Sequence, residues 1–279
     1  MLLREEEAKI SVLDRGFLFG DSIYEVTDTI ENHPIFLDEH FDRLWRSAGK
    51  IGLEIPFLRT QLKHEIDKTL NHLNVQRAYI RLMITRGVGD LTLSTKSMTA
   101  CNLIIITKEL QENPSWWYEK GVEVIIANTR RTSKETVDPS VKSGNYLNNV
   151  MAYNEAVENG AFDAIMLNQK GDITEGTTSN IWMIKDSCFY TPPLNSGLLG
   201  GITRMKIIEI LKKEGLQFQE KTISKEELKS ADEVFLSAST KKIVPIIKID
   251  DVKINNSSPG ENTQKLSKLY FKLINESIK

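Results

Sequence analysis

Cysteine is scarce. Cys101 and Cys188 are the only two in 279 residues, far apart and in no Cys-x-x-Cys spacing. A disulfide framework is therefore excluded, and a reducing, cytoplasmic setting is expected. No apolar run approaches the roughly 18 residues of a membrane-spanning helix. The opening stretch MLLREEEAKI lacks the apolar core of a signal peptide, so export is not expected. Charge of neither sign dominates: the net charge of −2 gives no electrostatic reason for nucleic acid or an anionic membrane as partner. The four histidines (His33, His40, His64 and His72) lie in the N-terminal third without close ligand pairing. They suggest no metal site, and a Ser-His-Asp triad would have to be assembled arbitrarily.

What remains is an ordinary soluble composition, 40% hydrophobic and 27% charged. The length suits two modest domains or one large one. Residues 36–50 place Phe41, Leu44, Trp45 and Ala48 on one helical face, and Leu62, Ile66, Leu70 and Leu73 repeat the pattern. Residues 78–87 alternate as a strand and 102–107 read as a buried strand. The polar stretch 108–121 is the expected linker region, giving an N-terminal domain over 1–113, a linker over 114–120 and a C-terminal domain over 121–279. Strands are expected at 121–127, 162–168, 179–184 and 233–238, and helices at 145–159, 202–214 and 262–275. The elements do not alternate strictly, so the fold class is α/β or α+β in two domains, with a cleft between them as the default ligand site.

Four stretches carry chemistry. In LLGGITRMKIIEILKKEG (198–215), Ile202, Met205, Ile208 and Leu211 step along one face, and Gly200–Gly201 stand before the first turn. Unpaired amides there attract anions, and Thr203 adds a hydroxyl; the plain alternative is a turn with Thr203 as a cap. FLSASTKK (235–242) runs from a strand into Ser237, Ser239 and Thr240, which could hold a phosphate or satisfy local backbone. DITEGTTSNIW (172–182) sets Glu175 at a strand-to-turn boundary, where a carboxylate could hold a protonated ring nitrogen or be merely solvated. VKSGNYLNNV (141–150) sets Lys142 before a turn and a helix. It is either a solvated loop lysine or a desolvated amine able to condense with an aldehyde.

An amine for an aldehyde, a carboxylate for a ring nitrogen and helix-end amides for a phosphate together describe a site for pyridoxal phosphate. The motifs in order resemble the class IV aminotransferases, the fold-type IV pyridoxal phosphate enzymes. The resemblance runs through SVLDRGFLFGDSIYE (11–25), LDEHFDRLWRSA (37–48), YIRLMITRGVGDL (79–91), VKSGNYLNNV (141–150), ITEGTTSNIW (173–182), TPPLNSGLLGGITR (191–204) and ADEVFLSAST (231–240). It implies a two-domain fold like that of D-amino-acid aminotransferase, with the C-terminal domain anchoring the cofactor, and a homodimer. By this resemblance Lys142 would anchor the cofactor and carry the proton between substrate Cα and the cofactor's C4′. Glu175 would pair with the pyridine nitrogen, keeping the ring an electron sink. Arg43, Ile202, Thr203 and Ser239 would hold the phosphate, Leu199 would pack on the ring, and Tyr146 would lie near its phenolic oxygen. Phe19, Tyr24 and Arg81 would fall on the substrate side.

The resemblance also bears on the reaction. Blocks 79–91 and 144–150 are similar to branched-chain amino-acid aminotransferases, implying transfer from leucine, isoleucine or valine to 2-oxoglutarate. Val26 stands where those enzymes commonly have glycine, and the turn after Lys142 is one residue shorter than in many of them. The Asp-Arg-Gly block and Tyr24 are also like D-amino-acid aminotransferases. Those carry an Arg-x-His pair where this chain reads Leu91–Thr92–Leu93. D-Amino-acid transamination and aminodeoxychorismate lysis on the same scaffold are the alternatives. A non-catalytic pyridoxal phosphate-binding module fits poorly with a chain that keeps Lys142, Glu175 and Arg43 together.

Overall fold

Alternation in AYIRLMIT is the simplest place to see why the chain folds as it does. Ala78, Ile80, Leu82 and Ile84 are all buried on one face, while the residues between them are mostly half-exposed. The computed structural model describes residues 2–96 and 100–278. Met1, Ser97, Met98, Thr99 and Lys279, which fall within the expected domain bounds, lie outside the described residues. The chain divides into two compact units, Met1–Gln111 with Val141–Asn145, and Glu112–Ser140 with Tyr146–Lys279.

In the first unit, α1 (Arg15–Phe19) leads into β1 (Ser22–Ile30) and β2 (His33–Pro34). Next come α2 (Leu37–Lys50), α3 (Arg59–Leu73), β3 (Ala78–Thr85) and β4 (Asn102–Glu109). The strands form an antiparallel sheet in the order β2-β1-β3-β4. Phe41, Leu44 and Ala48 of α2 and Leu62, Ile66 and Leu70 of α3 close over it, the faces the periodicity predicts. Each large side chain buried this way contributes about 1.5–3 kcal/mol. Trp45 and Leu73 sit at the margin of that core rather than inside it. Strand β4 is less buried than its apolar run suggests: Leu103 and Ile105 reach the core, whereas Ile106 on the other face is exposed.

The second unit contains α4 (Trp116–Glu119), β5 (Val122–Ile126), α5 (Leu147–Glu158), β6 (Asp163–Leu167) and β7 (Ile173–Gly176). These are followed by β8 (Asn180–Lys185), β9 (Cys188–Thr191), α6 (Ile202–Lys213), β10 (Phe218–Glu220) and α7 (Lys225–Lys229). The unit ends with β11 (Glu233–Ala238), β12 (Lys242–Ile249), β13 (Val252–Lys253) and α8 (Glu261–Ser277). The sheet order is β10-β9-β8-β11-β12-β5-β6-β7, and Glu175 pairs with Asn180 so that β7 returns to β8. That return closes six strands on themselves and fixes Glu175 opposite Asn180. The core inside holds Val124, Ile165, Ile181, Leu236 and Val244.

Three details depart from the sequence reading. The expected linker contains the single turn α4, held by Trp117 against Phe162 with ring centroids 4.8 Å apart. The buried face of α6 is Thr203, Ile207, Ile210 and Leu211 with Ile202, so Met205 and Ile208 are only partly covered. Strand β12 escaped the pattern because Pro245, which lacks an N–H, stands in its middle.

Candidate functional site

Lys142 belongs to the short segment that packs with the first unit. Ser143 bridges to Ile23, Tyr24 N donates to Lys142 O at 2.9 Å, and Gly144 N donates to Ser22 O at 2.9 Å. Lys142 N in turn donates to Ser47 Oγ on α2. The backbone on both sides of the lysine is thus fixed to β1 and α2, which aims its half-buried side chain along Tyr24. The ammonium lies 4.3 Å from the centre of the Tyr24 ring, and the Arg81 guanidinium lies 4.0 Å from the same centre. Three expected residues, Lys142, Tyr24 and Arg81, therefore share one aromatic ring. Phe19 stands exposed at the end of α1, with the Arg15 guanidinium 4.9 Å from its ring centre.

Arg43 is buried and forms two bonds to Glu25, Nε to Oε1 at 2.8 Å and Nη2 to Oε2 at 2.6 Å. His40, one turn earlier on α2, bonds Glu25 Oε2 through Nδ1 at 2.7 Å. An ionised carboxylate only accepts, so Nδ1 carries the hydrogen. Burial opposes charge on Glu25, but Arg43 and His40 outweigh it and bring the carboxyl down to about 2. Burial pushes His40 below its usual value, against the pull of Glu25 and with repulsion from Arg43 and Lys142. Glu25 and His40 were not singled out from the sequence. Charge alone does not mark Glu25, because β1 carries a second carboxylate in Asp28; the one local hint is a histidine and an arginine three apart on α2.

Glu175 lies on β7, buried. Its Oε1 accepts from Arg131 Nε at 2.7 Å and its Oε2 accepts from Leu199 N at 3.0 Å. Arg131 is oriented by Thr132 Oγ1 at 3.0 Å and Asn148 Oδ1 at 3.3 Å. Asn180, opposite Glu175 in the sheet, donates to Leu199 O at 2.8 Å. Glu175 and Asn180 therefore grip Leu199 by its amide and its carbonyl. Neither Arg131 nor Asn180 was read from the sequence; an arginine in a loop looks like any surface cation until its carboxylate partner is known.

Just beyond Leu199 begins α6, whose cap residue Gly201 supplies no side-chain bond. The backbone bond from Met205 N to Gly201 O leaves the Ile202 and Thr203 amides ahead of the helix's hydrogen-bonded ladder. The Thr203 hydroxyl lies 3.2 Å from Tyr270 Oη of α8. Ser239 follows β11, half-buried, its carbonyl accepting from Lys242 Nζ at 2.6 Å. Tyr146 caps α5 at its N-terminus, also half-buried. Glu175, Leu199, Ile202 and Thr203 thus form one connected run in the second unit.

Taken unit by unit, these groups suit the parts of pyridoxal phosphate. In the first unit a half-exposed amine suits its aldehyde; in the second a buried carboxylate paired with an arginine suits a ring nitrogen, and helix-end amides with a hydroxyl suit a phosphate. Among the described residues no cluster of His, Cys, Asp and Glu is arranged to hold a metal ion. No helix among them is long and apolar enough to cross a membrane.

Comparison with known proteins points the same way. Residues 22–249 match the family described as Amino-transferase class IV. A Methanocaldococcus jannaschii protein, provisionally named a branched-chain-amino-acid aminotransferase, is 36% identical over 95% of this chain and 91% of its own length. The D-alanine aminotransferase of Bacillus licheniformis is 34% identical over 100% of this chain and 96% of its own. The crystal structure of the Thermoproteus uzoniensis branched-chain aminotransferase with norvaline superposes with a TM-score of 0.91 at 31% identity, covering 99% of this chain and 93% of that one. The chain belongs to the class IV aminotransferases and is a pyridoxal phosphate-dependent transaminase of the fold-type IV architecture.

Proposed function

We propose that this transaminase moves the amino group of a branched-chain L-amino acid (leucine, isoleucine or valine) to 2-oxoglutarate, working as a cytoplasmic homodimer. The observation that carries the reading is the stretch Leu91–Thr92–Leu93 after β3. It offers no cation where D-amino-acid enzymes have Arg-x-His, and the neighbouring Arg15 spends its guanidinium on the carbonyls of Thr92 and Leu93. Likeness to the M. jannaschii and T. uzoniensis proteins supports it further. The B. licheniformis likeness supports the second reading, a D-amino-acid aminotransferase.

Pyridoxal phosphate supplies an aldehyde and an electron-withdrawing ring that accepts the electron pair left at the substrate's Cα. Lys142 would hold the cofactor through its amine and carry the Cα proton. Glu175 would pair with the ring nitrogen, with Arg131 as its own ion-pair partner. Arg43, Ile202, Thr203 and Ser239 would hold the phosphate, with Glu25 fixing the plane of Arg43 and His40 bonded to Glu25. Leu199 would pack on the ring, Tyr146 would lie near its phenolic oxygen, and Phe19, Tyr24 and Arg81 would serve the substrate. An apolar pocket separates leucine from valine weakly, since one methylene is worth roughly 1–3 kcal/mol.

The test is the absorbance spectrum of the purified protein before and after L-leucine or D-alanine, with Lys142→Ala as the control that loses turnover. The cofactor band should collapse with L-leucine alone and return with 2-oxoglutarate. Response to D-alanine alone would replace this reading with the second, and a spectrum moved by neither would point to lyase chemistry.

A further inference from the structure

Tyr270 stands behind the proposed phosphate site without belonging to it. Its ring is fully buried on α8, and its hydroxyl meets Thr203 Oγ1 of α6 at 3.2 Å with Thr203 equally buried. Helix α8 is held firmly at its start. Glu233 Oε1 accepts from Asn262 N and Nδ2, and Oε2 accepts from Thr263 N and Oγ1 at 2.8 and 2.7 Å. The Tyr270 hydroxyl is thus set on a rigid element rather than a loop.

A threonine hydroxyl has one hydrogen and, in the first turn of a helix, several places to send it, including the carbonyls three and four residues back. For Thr203 the carbonyl four back, Leu199 O, accepts from Asn180 Nδ2, and the hydroxyl itself meets Tyr270 instead. A phenol is the stronger donor of the pair, so the bond is best made with Tyr270 donating and Thr203 accepting. The Thr203 hydrogen then remains available for an anionic oxygen. We propose that Tyr270 is a positioning residue that orients the Thr203 hydroxyl toward the cofactor phosphate. The inference rests on the reading of Thr203 as a phosphate ligand.

The test titrates the full chain, stripped of cofactor, with pyridoxal phosphate and separately with pyridoxal, which lacks the phosphate. Wild type, Tyr270→Phe, Thr203→Val and the double variant are compared by absorbance. Tyr270→Phe, which keeps the buried ring, should weaken pyridoxal phosphate binding about three- to tenfold, the worth of one net hydrogen bond, and leave pyridoxal binding unchanged. The double variant should bind no more weakly than Thr203→Val. Wild-type affinity in Tyr270→Phe beside weakened binding in Thr203→Val overturns the inference and leaves the phosphate reading standing. Wild-type affinity in both single variants overturns both. Equal weakening toward pyridoxal phosphate and pyridoxal also overturns the inference, because it reports packing alone.

Discussion

Arg131 and Glu175 meet as a buried ion pair, Nε to Oε1 at 2.7 Å, although 44 positions separate them in the chain. The pair is costly to break from one side. Removing one partner of a buried pair leaves a charge that neither water nor a counter-ion offsets fully, at about 3–5 kcal/mol.

Arg131→Met should therefore lower unfolding stability by roughly 3 kcal/mol in a urea titration. It should also slow the first half reaction with L-leucine in stopped-flow absorbance, because Glu175 loses the ion-pair partner that holds its carboxylate. Arg131→Lys should recover part of both, since it restores charge without the fork that reaches Thr132 and Asn148. Unchanged stability and unchanged rate in Arg131→Met would remove the pair from the mechanism.

Acid should weaken the first unit through Glu25. Its carboxyl is held at about 2 in the folded chain against an ordinary 4.5. A depressed carboxyl contributes stability that is fully present above about 4.5 and lost as pH falls toward 2. The shift corresponds to roughly 3 kcal/mol at most. His40 acts in the same direction from a higher pH: its pKa is pushed below 6.5, so the unfolded chain takes the proton first and stability begins to fall there. Thermal melts between pH 7 and 3 should show both phases. Glu25→Gln should be less stable at pH 7, since Arg43 loses its carboxylate, and should flatten the lower phase. An acid slope identical to wild type would mean that Glu25 is not the group responsible.

Periodicity made α2, α3 and β3 legible, because Phe41, Leu44, Leu62, Ile66 and Ile80 all face one core and one core imposes one period. It misread α6, where Thr203 and Arg204 are buried for polar reasons that an apolar stripe does not register. It missed β12, whose Pro245 argues locally against a strand that the sheet nevertheless accommodates. The site shows the same division. Lys142 and Glu175 were visible because each sits in a motif with a recognisable task. Arg131, Asn180, Glu25 and Tyr270 were not, because each acts on another side chain distant in sequence, and no local pattern records that distance.

Gly201 offers the most local probe of the α6 entrance. It precedes Ile202 with a backbone that any residue adopts, φ −67° and ψ 143°, so conformational strain is not what requires a glycine. Space is the requirement: an added Cβ would overlap Asn180 Oδ1, while Arg204 Cβ lies 3.6 Å away. Asn180 yields only by releasing Leu199 O, which it holds at 2.8 Å. Gly201→Ala should therefore cost about 1–3 kcal/mol in stability, the range for overpacking a close contact. It should also weaken pyridoxal phosphate, because Leu199 and the helix-end amides move together. Asn180→Ala in the same background makes room for the methyl group, so the double variant should regain stability relative to Gly201→Ala. The comparison is a double-mutant cycle read by urea unfolding and by cofactor titration. Strict additivity of the two changes would show that Gly201 and Asn180 do not share the space that the geometry assigns to them.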